Sequence, residues 1–421
     1  MIAKIKNIIY RLLRRSEKYT KTDMVYLASG GFWLSFGHVI AFFTALALAV
    51  TFANLLPAET YGTYKYVIAI FSLLSMPSLK KMGVSLIRAM SRGFDGNLKE
   101  IILTKIKWAT LGSLAGILLS AYYFIQNNNT LAISFIICAI FLPFFNGFNI
   151  YSSYLNAKKD FKKITKYYGI NQIITAIALL ITILLTKNIL IIILIYFLTE
   201  TITRGILLFI SIKSIPPNNK KEVGVTKYGK QLSVMELVET VAIEADKVLI
   251  YHYIGPAQLA IYSIASAPID QIKSFIFSIR TLALPKLSET TANSLQKTLP
   301  AKIIKAAIII IPIIVVYILA APFIFSLLFP TYQSSVLLSQ VLAISIILTP
   351  AALLSSGLSA QKQIKSLAKI KIFGSIGRLA IYFIAIKFYG LFGLILARII
   401  IDIYFALLYQ HYFRKMKTIE N

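Results

Sequence analysis

The sequence predicts an all-α integral membrane protein with twelve transmembrane helices, arranged as two six-helix lobes related by a parallel repeat. Three observations support this fold class. Hydrophobic residues make up 57% of the chain and charged residues only 14%, whereas a soluble domain has about 25% charged residues. The hydrophobic residues form runs of roughly 20, the length that crosses a bilayer. Finally, two stretches in the first half resemble two stretches in the second.

Twelve segments are long and apolar enough to be membrane spans. The seventh and eighth are the weakest by hydropathy, because they carry internal charges. The predicted spans, numbered 1 to 12 in chain order, are 28–54, 62–80, 108–126, 130–154, 168–186, 189–212, 232–254, 259–282, 303–328, 335–358, 370–388 and 391–413.

Basic residues are concentrated on one side of the predicted membrane. Most of the 44 Lys and Arg residues lie in the N-terminal arm, in the linkers after even-numbered spans and in the C-terminal tail. The linkers after odd-numbered spans carry almost none. Since cytoplasmic loops hold the excess of Lys and Arg, both termini are expected in the cytoplasm, and the alternation favours an even number of spans.

The same pattern divides the chain into five parts. The first is a basic arm whose Ile and Leu residues follow helical spacing, as in an amphipathic helix lying on anionic membrane lipids. A disordered basic arm is the alternative. The parts are the arm 1–23, an N-terminal lobe 24–212, a basic cytoplasmic linker 213–231, a C-terminal lobe 232–413 and a cytoplasmic tail 414–421.

The two halves share sequence patterns. LNAKKDFKKITKYYGINQIITAI at 155–177 aligns with LSAQKQIKSLAKIKIFGSIGRLA at 358–380, so residue 155 corresponds to residue 358, an offset of 203. LLPAETYGTYKYVIAI at 55–70 resembles YIGPAQLAIYSIASA at 253–267. Because each half has six spans, the halves have the same orientation, and transporters built from such repeats bind substrate between them. Chance similarity of Lys-rich loops is the alternative.

Several functional classes lack their sequence signatures. The chain has no glycine-rich loop followed by Lys-Ser/Thr for nucleotide phosphates, its three histidines lack metal-ligand spacing, and its single cysteine, Cys138, excludes a disulfide. We therefore predict no cofactor and no metal. The net charge of +28 does not indicate nucleic acid, because the basic residues lie in short linkers between hydrophobic segments.

An enzyme is not expected, because the linkers are too short for a soluble catalytic domain. The enzymatic alternative is a membrane glycosyltransferase or polysaccharide polymerase. It would require acidic residues in accessible outer loops, where only Glu59 lies.

Three segments carry a family resemblance. NLLPAETYGTYKYVIAIFSLL (54–74) looks like the segment that joins the first two helices of polysaccharide-export proteins. EADKVLIYHYIGPAQLAIYSIA (244–265) is similar to their helix 7–8 segment, and SLLFPTYQSSVLLSQVLAIS (326–345) to their helix 9–10 connection. Over almost its whole length the chain thus resembles the Wzx-type oligosaccharide flippases of the polysaccharide transporter family. These belong to the multidrug/oligosaccharidyl-lipid/polysaccharide (MOP) superfamily.

This resemblance implies a two-lobed, V-shaped bundle in the bacterial cytoplasmic membrane. It implies movement of polyprenyl-pyrophosphate-linked oligosaccharides, such as O-antigen units, from the cytoplasmic to the outer leaflet in exchange for H⁺ or Na⁺. Other polysaccharide-assembly membrane proteins are possible partners. Multidrug or cation antiport on the related fold is the alternative function, and it would need a smaller, more apolar cavity.

Span 7 contains an unusual charged stretch, ELVETVAIEADKVLIYHY at 236–253. At about 100° per residue its five charges fall within an arc of about 160°. Charged residues in a span face protein or water and are functional candidates, so this face is expected to line an aqueous cavity. The candidates for cation coupling, by proton exchange or by Na⁺ binding, are Glu239, Glu244 and Asp246. Asp246 and Lys247 could instead neutralise each other.

Basic residues in other spans are candidates for an anionic substrate, since Arg binds phosphate oxygens through a planar fork of donors. Arg378 has no acid within four residues and is the strongest candidate. The pairs Glu200/Arg204 and Arg398/Asp402 have the spacing of intrahelical ion pairs. The pyrophosphate-binding candidates are Arg378, Lys273, Arg398 and Arg204, and the cavity-lining candidates are His38, Lys247 and Asp270.

Overall fold

The computed structural model describes the backbone of residues 24–416, and the side chains of all of these except 24–32, 34–35, 278–286 and 288–289. Over this range the secondary structure consists of α-helices and short 3₁₀ segments, without a strand. The prediction of an all-α protein is confirmed. The predicted arm 1–23 and residues 417–421 of the predicted tail lie outside the described residues.

The described chain contains long helices that correspond to spans and short helices that extend or connect them. In order these are α1 Met24–Leu55, α2 Ala58–Leu74, α3 Met82–Ser91, α4 Leu98–Ile125, α5 Asn129–Phe148, α6 Ile150–Ala157, α7 Phe161–Leu185, α8 Ile189–Ser214, α9 Val225–Val234, α10 Leu237–Tyr253, α11 Pro256–Glu289, α12 Ala292–Leu328, α13 Ser335–Ile344, α14 Leu353–Ala360 and α15 Ile364–Arg414. The 3₁₀ segments are Met76–Ser78, Asp95–Asn97, Pro330–Tyr332 and Ser345–Ala352.

Fewer than twelve helices of the described residues are long and apolar enough to be counted as spans. Among the described residues, eight helices are long and apolar enough to cross a membrane, or up to nine if Ala58–Leu74 and Met76–Ser91, bent by 46°, form one span. Predicted spans 7 and 8 correspond to α10, which is short at 17 residues, and α11, and both helices carry internal charges that lower their hydropathy. Predicted spans 11 and 12 both lie within α15.

The two predicted spans of α15 are separated by a kink at Gly390. Its backbone angles are φ 57° and ψ −143°, a conformation that is strained for any residue with a Cβ atom. Because Gly390 lies between the predicted spans 370–388 and 391–413, the predicted boundary falls at this kink.

The segments of the predicted repeat adopt the same local structure. In the first half α6 ends at Ala157, Lys159 has a left-handed φ of 59°, and α7 begins at Phe161. The amide of Asp160 donates to the Leu155 carbonyl at 3.1 Å. This is a Schellman helix end, with a lysine where glycine is usual.

At the offset of 203 the second half repeats this arrangement. α14 ends at Ala360, Lys362 has a left-handed φ of 52°, and α15 begins at Ile364. The amide of Gln363 donates to the Leu358 carbonyl at 2.9 Å. Left-handed lysines at corresponding positions support a true internal repeat, because a residue with a Cβ atom seldom takes this conformation.

The predicted linker between the halves is fastened to the N-terminal half. Asp95, in the turn before α4, accepts a hydrogen bond from the Asn218 amide at 3.2 Å and pairs with Lys158 at 2.6 Å. The Asn97 side chain exchanges two hydrogen bonds with the backbone of Glu222, at 2.9 and 3.0 Å. The linker therefore lies along the surface of the N-terminal half.

The last part of this linker is helix α9, which packs on α3. A Cβ atom on Gly229 would lie 2.3 Å from the Met82 sulfur, so the two helices touch. The helical conformation is interrupted at Met235 and Glu236, between the end of α9 and the start of α10. We refer to α1–α9 as the N-terminal half and to α10–α15 as the C-terminal half.

At the ends of the spans opposite the basic linkers, the halves meet closely. Tyr66 of α2 stacks on Tyr251 of α10 with ring centroids 3.9 Å apart, and its hydroxyl lies 2.9 Å from His252 Nε2. A Cβ atom on Gly62 would lie 1.8 Å from the Pro256 carbonyl oxygen. α2 and α11 therefore approach each other as closely as a glycine allows.

Candidate functional site

An apolar cavity of about 720 Å³ lies between the halves. Helix α1 contributes one wall through His38, Phe42 and Phe43, and the C-terminal half contributes the other through α11, α12 and the 3₁₀ segment Ser345–Ala352. Nearly all of the lining consists of hydrocarbon and aromatic side chains. Such a cavity suits an apolar chain and offers little to a sugar.

A second cavity, of about 220 Å³, lies within the C-terminal half and is charged. It is lined by α10, α11, α15 and the 3₁₀ segment. Its charged lining residues are Glu239, Lys273, Lys371, Arg378 and Asp402. The structure thus brings together three of the predicted site residues, Glu239, Lys273 and Arg378.

The two cavities share a wall. Thr349 and Ala352, both on the 3₁₀ segment, line the apolar cavity and the charged cavity alike. This segment contains Pro350, which lacks an amide hydrogen and is compatible with an irregular helix. The 3₁₀ segment therefore forms part of the wall between an apolar and a charged compartment.

Arg378 has few contacts for a basic residue inside a bundle. Its guanidinium lies 4.9 Å from the centroid of the Phe405 ring, and its Nε atom is buried without a hydrogen-bond partner. Within the described part of the chain, the ion pairs do not include Arg378, whereas Lys273 and Lys371 both pair with acids. Thr349 Oγ1, in the same cavity, is also buried without a partner.

Four charged residues of α11 and α15 form two ion pairs between these helices. Lys273 lies 2.5 Å from Asp402, and Arg398 lies 2.5 Å from Asp270. The prediction of an intrahelical Arg398/Asp402 pair is wrong. Each charged residue instead faces the neighbouring helix, and each finds its partner there.

Asp246 belongs to a buried hydrogen-bond chain. Its side chain is 6% exposed and accepts a hydrogen bond from the Tyr262 hydroxyl at 2.5 Å. Arg398 Nη1 donates to the same hydroxyl at 3.2 Å. Tyr262 therefore links the carboxylate of Asp246 to a permanent internal cation.

Lys247 does not neutralise its neighbour Asp246 by a side-chain contact. Its ammonium pairs with Glu244 at 2.6 Å, one turn away. Lys247 and Asp270, predicted to line a cavity, are not part of the lining of either cavity, and neither are Glu244 and Asp246. Of the predicted coupling acids, Glu239 lines the charged cavity.

Glu239 belongs to a chain of ion pairs that sequence patterns did not reveal. Lys371 lies 2.7 Å from Glu239 and 3.3 Å from Glu236, and Glu236 lies 2.9 Å from Lys81. Lys81 precedes α3 in the N-terminal half. These ion pairs therefore connect the charged cavity to the N-terminal half of the molecule.

The N-terminal half has a buried charged cluster of its own. Glu200 and Arg204 form the predicted intrahelical ion pair. Asn171 and Thr175 also donate to Glu200, at 3.0 and 3.1 Å, and the Arg204 guanidinium lies 3.9 Å from the centroid of the Phe145 ring. Arg204 contacts residues of the N-terminal half and does not line the charged cavity, so the structure does not bring it together with Arg378.

The fold is similar to those of several solved transporters. The lipid II flippase MurJ in its inward closed conformation matches with a TM-score of 0.71 at 17% sequence identity, over 92% of this chain and 88% of that chain. MATE in complex with MaD5 matches with a TM-score of 0.65 at 12% identity, over 91% and 94%. A MOP superfamily transporter from Pyrococcus furiosus matches with a TM-score of 0.59 at 12% identity, over 93% and 95%.

None of the curated proteins compared with the chain matches it. Residues 27–291, more than half of the chain, match the family described as polysaccharide biosynthesis protein. This match confirms the predicted resemblance to a family of polysaccharide-related proteins. The chain is a multi-pass membrane protein that belongs to this polysaccharide biosynthesis family and has the fold of MOP superfamily transporters.

Proposed function

We propose that this protein flips polyprenyl-pyrophosphate-linked oligosaccharides from the cytoplasmic to the outer leaflet of a bacterial cytoplasmic membrane. Both termini and the basic linkers face the cytoplasm in this proposal, as the distribution of Lys and Arg favours. The product would supply cell-surface polysaccharide synthesis, in keeping with the family description.

One observation carries this proposal: an apolar cavity between the halves adjoins a charged cavity inside one of them. A lipid-linked oligosaccharide has an apolar chain, a multiply anionic pyrophosphate and a polar sugar. Burial of apolar surface stabilises the chain in a hydrocarbon-lined cavity, and Arg donors bind phosphate oxygens. The substrate of a small-molecule antiporter does not combine a long apolar chain with an anionic group, so it does not require an apolar cavity beside a charged one.

Cation coupling is proposed at Glu239. Its carboxylate lines the charged cavity and its side chain is 38% exposed, so H⁺ or Na⁺ from solution can compete with Lys371 for it. Glu244 and Asp246 are already held by Lys247 and Tyr262 outside both cavities. We therefore propose that H⁺ or Na⁺ binds at Glu239, and that Glu244 and Asp246 stabilise α10.

The test is translocation in proteoliposomes of a fluorescent polyprenyl-pyrophosphate oligosaccharide, with and without an imposed pH or Na⁺ gradient. We expect protein-dependent movement between leaflets, stimulated by one of the gradients. Absence of movement together with gradient-driven uptake of a small cationic dye would overturn the proposal in favour of drug or cation antiport.

A further inference from the structure

Two lysines from opposite halves of the molecule contact the same carboxylate oxygen. Lys81 Nζ lies 2.9 Å from Glu236 Oε1, and Lys371 Nζ lies 3.3 Å from the same atom. Lys81 belongs to the N-terminal half, whereas Glu236 directly precedes α10 and Lys371 lies on α15. The pair between Lys81 and Glu236 therefore crosses the boundary between the halves, and the pair between Lys371 and Glu236 does not.

The position of Lys371 depends on Glu239. The Lys371 ammonium lies 2.7 Å from Glu239 Oε2, closer than to Glu236. Coulomb attraction falls with distance, so Glu239 holds the ammonium away from Glu236. When Glu239 is protonated, or when another cation occupies its carboxylate, Lys371 keeps Glu236 as its acid.

The four side chains form a balanced set of charges across the boundary. Two lysines face two glutamates, so the set is neutral while Glu239 is ionised and unoccupied. A cation at Glu239 leaves one positive charge in excess, and both lysines then depend on the single carboxylate of Glu236. Like charges repel, and these two lysines lie on opposite halves. The excess charge therefore opposes the contact that crosses the boundary.

The surroundings of these residues do not offset the excess charge. Besides Glu239 and Lys371, the titratable residues that line the charged cavity are Lys273, Arg378, Asp402 and Tyr409. Lys273 and Asp402 pair with each other, and Arg378 adds a positive charge. In the N-terminal half Lys80 adds another positive charge near Glu236. A cation at Glu239 thus increases the charge of a region that is already basic.

The backbone beside Glu236 allows the halves to respond. The backbone amide of Lys81 donates to Ser233 Oγ of α9 at 3.1 Å, so α9 stays with the N-terminal half. The helical conformation is interrupted at Met235 and Glu236 before α10 begins. Loss of the pair between Lys81 and Glu236 therefore leaves α10 able to turn about this interruption.

We infer that Lys371 is a positioning residue that links the cation site at Glu239 to the contact between the halves. When H⁺ or Na⁺ occupies Glu239, Lys371 moves onto Glu236 and displaces Lys81, and the halves separate at the end where the basic linkers lie. The inference rests on the proposed function and deepens it, because it names the residue through which the cation acts. This direction suits an exchange mechanism, since the substrate enters and the cation leaves at the cytoplasmic end.

The test is the distance between spin labels at Ser91→Cys and Ile364→Cys in the full chain in nanodiscs, measured by pulsed electron resonance. Both positions are exposed, one on each half. Glu239→Gln imitates the neutral side chain. It should raise the ratio of separated to closed molecules roughly twofold to fivefold, the change that a partly exposed ion pair produces.

A second substitution distinguishes the action of Lys371 from a general loss of structure. Addition of Lys371→Gln to Glu239→Gln should restore the distances of the labelled parent, because Lys81 is again the only lysine that pairs with Glu236. Lys371→Gln alone removes two ion pairs and should still leave the halves closed. If Glu239→Gln does not fold, this variant decides alone, and separated halves would overturn the inference.

Asp402→Asn is the matched control. It also removes one negative charge from the charged cavity, but its partner Lys273 lies in the same half, so the distances should not change. Separation in Asp402→Asn equal to that in Glu239→Gln would overturn the role of Lys371.

Two combined outcomes distinguish this inference from the proposed function. Separation in Glu239→Gln that Lys371→Gln reverses, without translocation of lipid-linked oligosaccharide in proteoliposomes, would refute the proposed function alone. Gradient-stimulated translocation by the unmodified protein, with unchanged distances in Glu239→Gln or a separation that Lys371→Gln does not reverse, would refute this inference alone.

Discussion

Lys81 Nζ lies 2.9 Å from Glu236 Oε1, and this ion pair joins the N-terminal half to the first turn of α10. The backbone amide of Lys81 also donates to Ser233 Oγ of α9, at 3.1 Å. α9 packs on α3, and α10 belongs to the C-terminal half. Glu236 therefore lies at the boundary between the two halves. The pair therefore links the two halves at the basic end of the molecule.

Glu236→Gln should weaken this link between the two halves. The substitution removes the ion pairs with Lys81 and Lys371, and exposed pairs of this kind contribute about 0.2–1 kcal/mol each. We expect a several-fold shift towards a state with the halves further apart at the basic end. Spin labels at Ser91→Cys on α3 and Ile364→Cys on α15 would report it as longer distances by pulsed electron resonance.

The control for this measurement is Glu59→Gln, at the start of α2 on the opposite face. It should leave the distance distribution unchanged. Native Cys138 is fully buried and should not take up label. An unchanged distribution for Glu236→Gln would show that the ion pair does not restrain the halves.

The buried pair Glu200/Arg204 should matter for stability. Removal of one partner leaves an uncompensated buried charge, which costs about 3–5 kcal/mol. We expect Arg204→Ala to lower the unfolding temperature strongly. Glu200→Gln leaves Arg204 without its acid but should cost less, because Asn171 and Thr175 still find an amide oxygen there and the guanidinium keeps its contact with the Phe145 ring.

Thermal unfolding in detergent, followed by intrinsic fluorescence, gives this comparison. Replacement of an exposed charge, as in Arg414→Gln, provides the baseline. Equal unfolding temperatures for Arg204→Ala and the baseline variant would contradict the buried role of the pair.

Gly62→Ala should disturb the contact between α2 and α11. The new Cβ atom would lie 1.8 Å from the Pro256 carbonyl oxygen, and a rigid backbone atom cannot move aside cheaply. We expect a loss of about 1–3 kcal/mol, the usual cost of overpacking. Gly37→Ala is the matched control, because its Cβ atom would meet Thr165 at an ordinary 3.6 Å. Similar unfolding temperatures for the two variants would show that α2 and α11 separate without cost.

Glu239→Gln should uncouple transport from the ion gradient. The amide can neither release a proton nor hold Na⁺ as a carboxylate does, while the cavity keeps its shape. In the proteoliposome assay we expect gradient stimulation to disappear and movement down the lipid's own gradient to persist. Full stimulation in Glu239→Gln would return Glu244 and Asp246 to consideration as coupling residues.

Local sequence patterns predicted the features that depend on neighbours along the chain. The helices follow from apolar runs, and the Glu200/Arg204 pair follows from a spacing of four residues, because one helical turn brings those side chains together. The sequence repeat at an offset of 203 is matched in the structure by equivalent helix ends at Lys159 and Lys362, since equivalent sequences adopt equivalent local conformations.

The tertiary structure decided every feature that depends on how two helices face each other. The sequence by itself determined that α15 carries Arg398 and Asp402 one turn apart, yet their partners are Asp270 and Lys273 of α11. Thr349 carried no signal in the sequence, and it becomes part of a site only because α15 packs beside the 3₁₀ segment. Helical periodicity specifies the face on which a residue lies, whereas the packing of the bundle specifies which residue of another helix it meets.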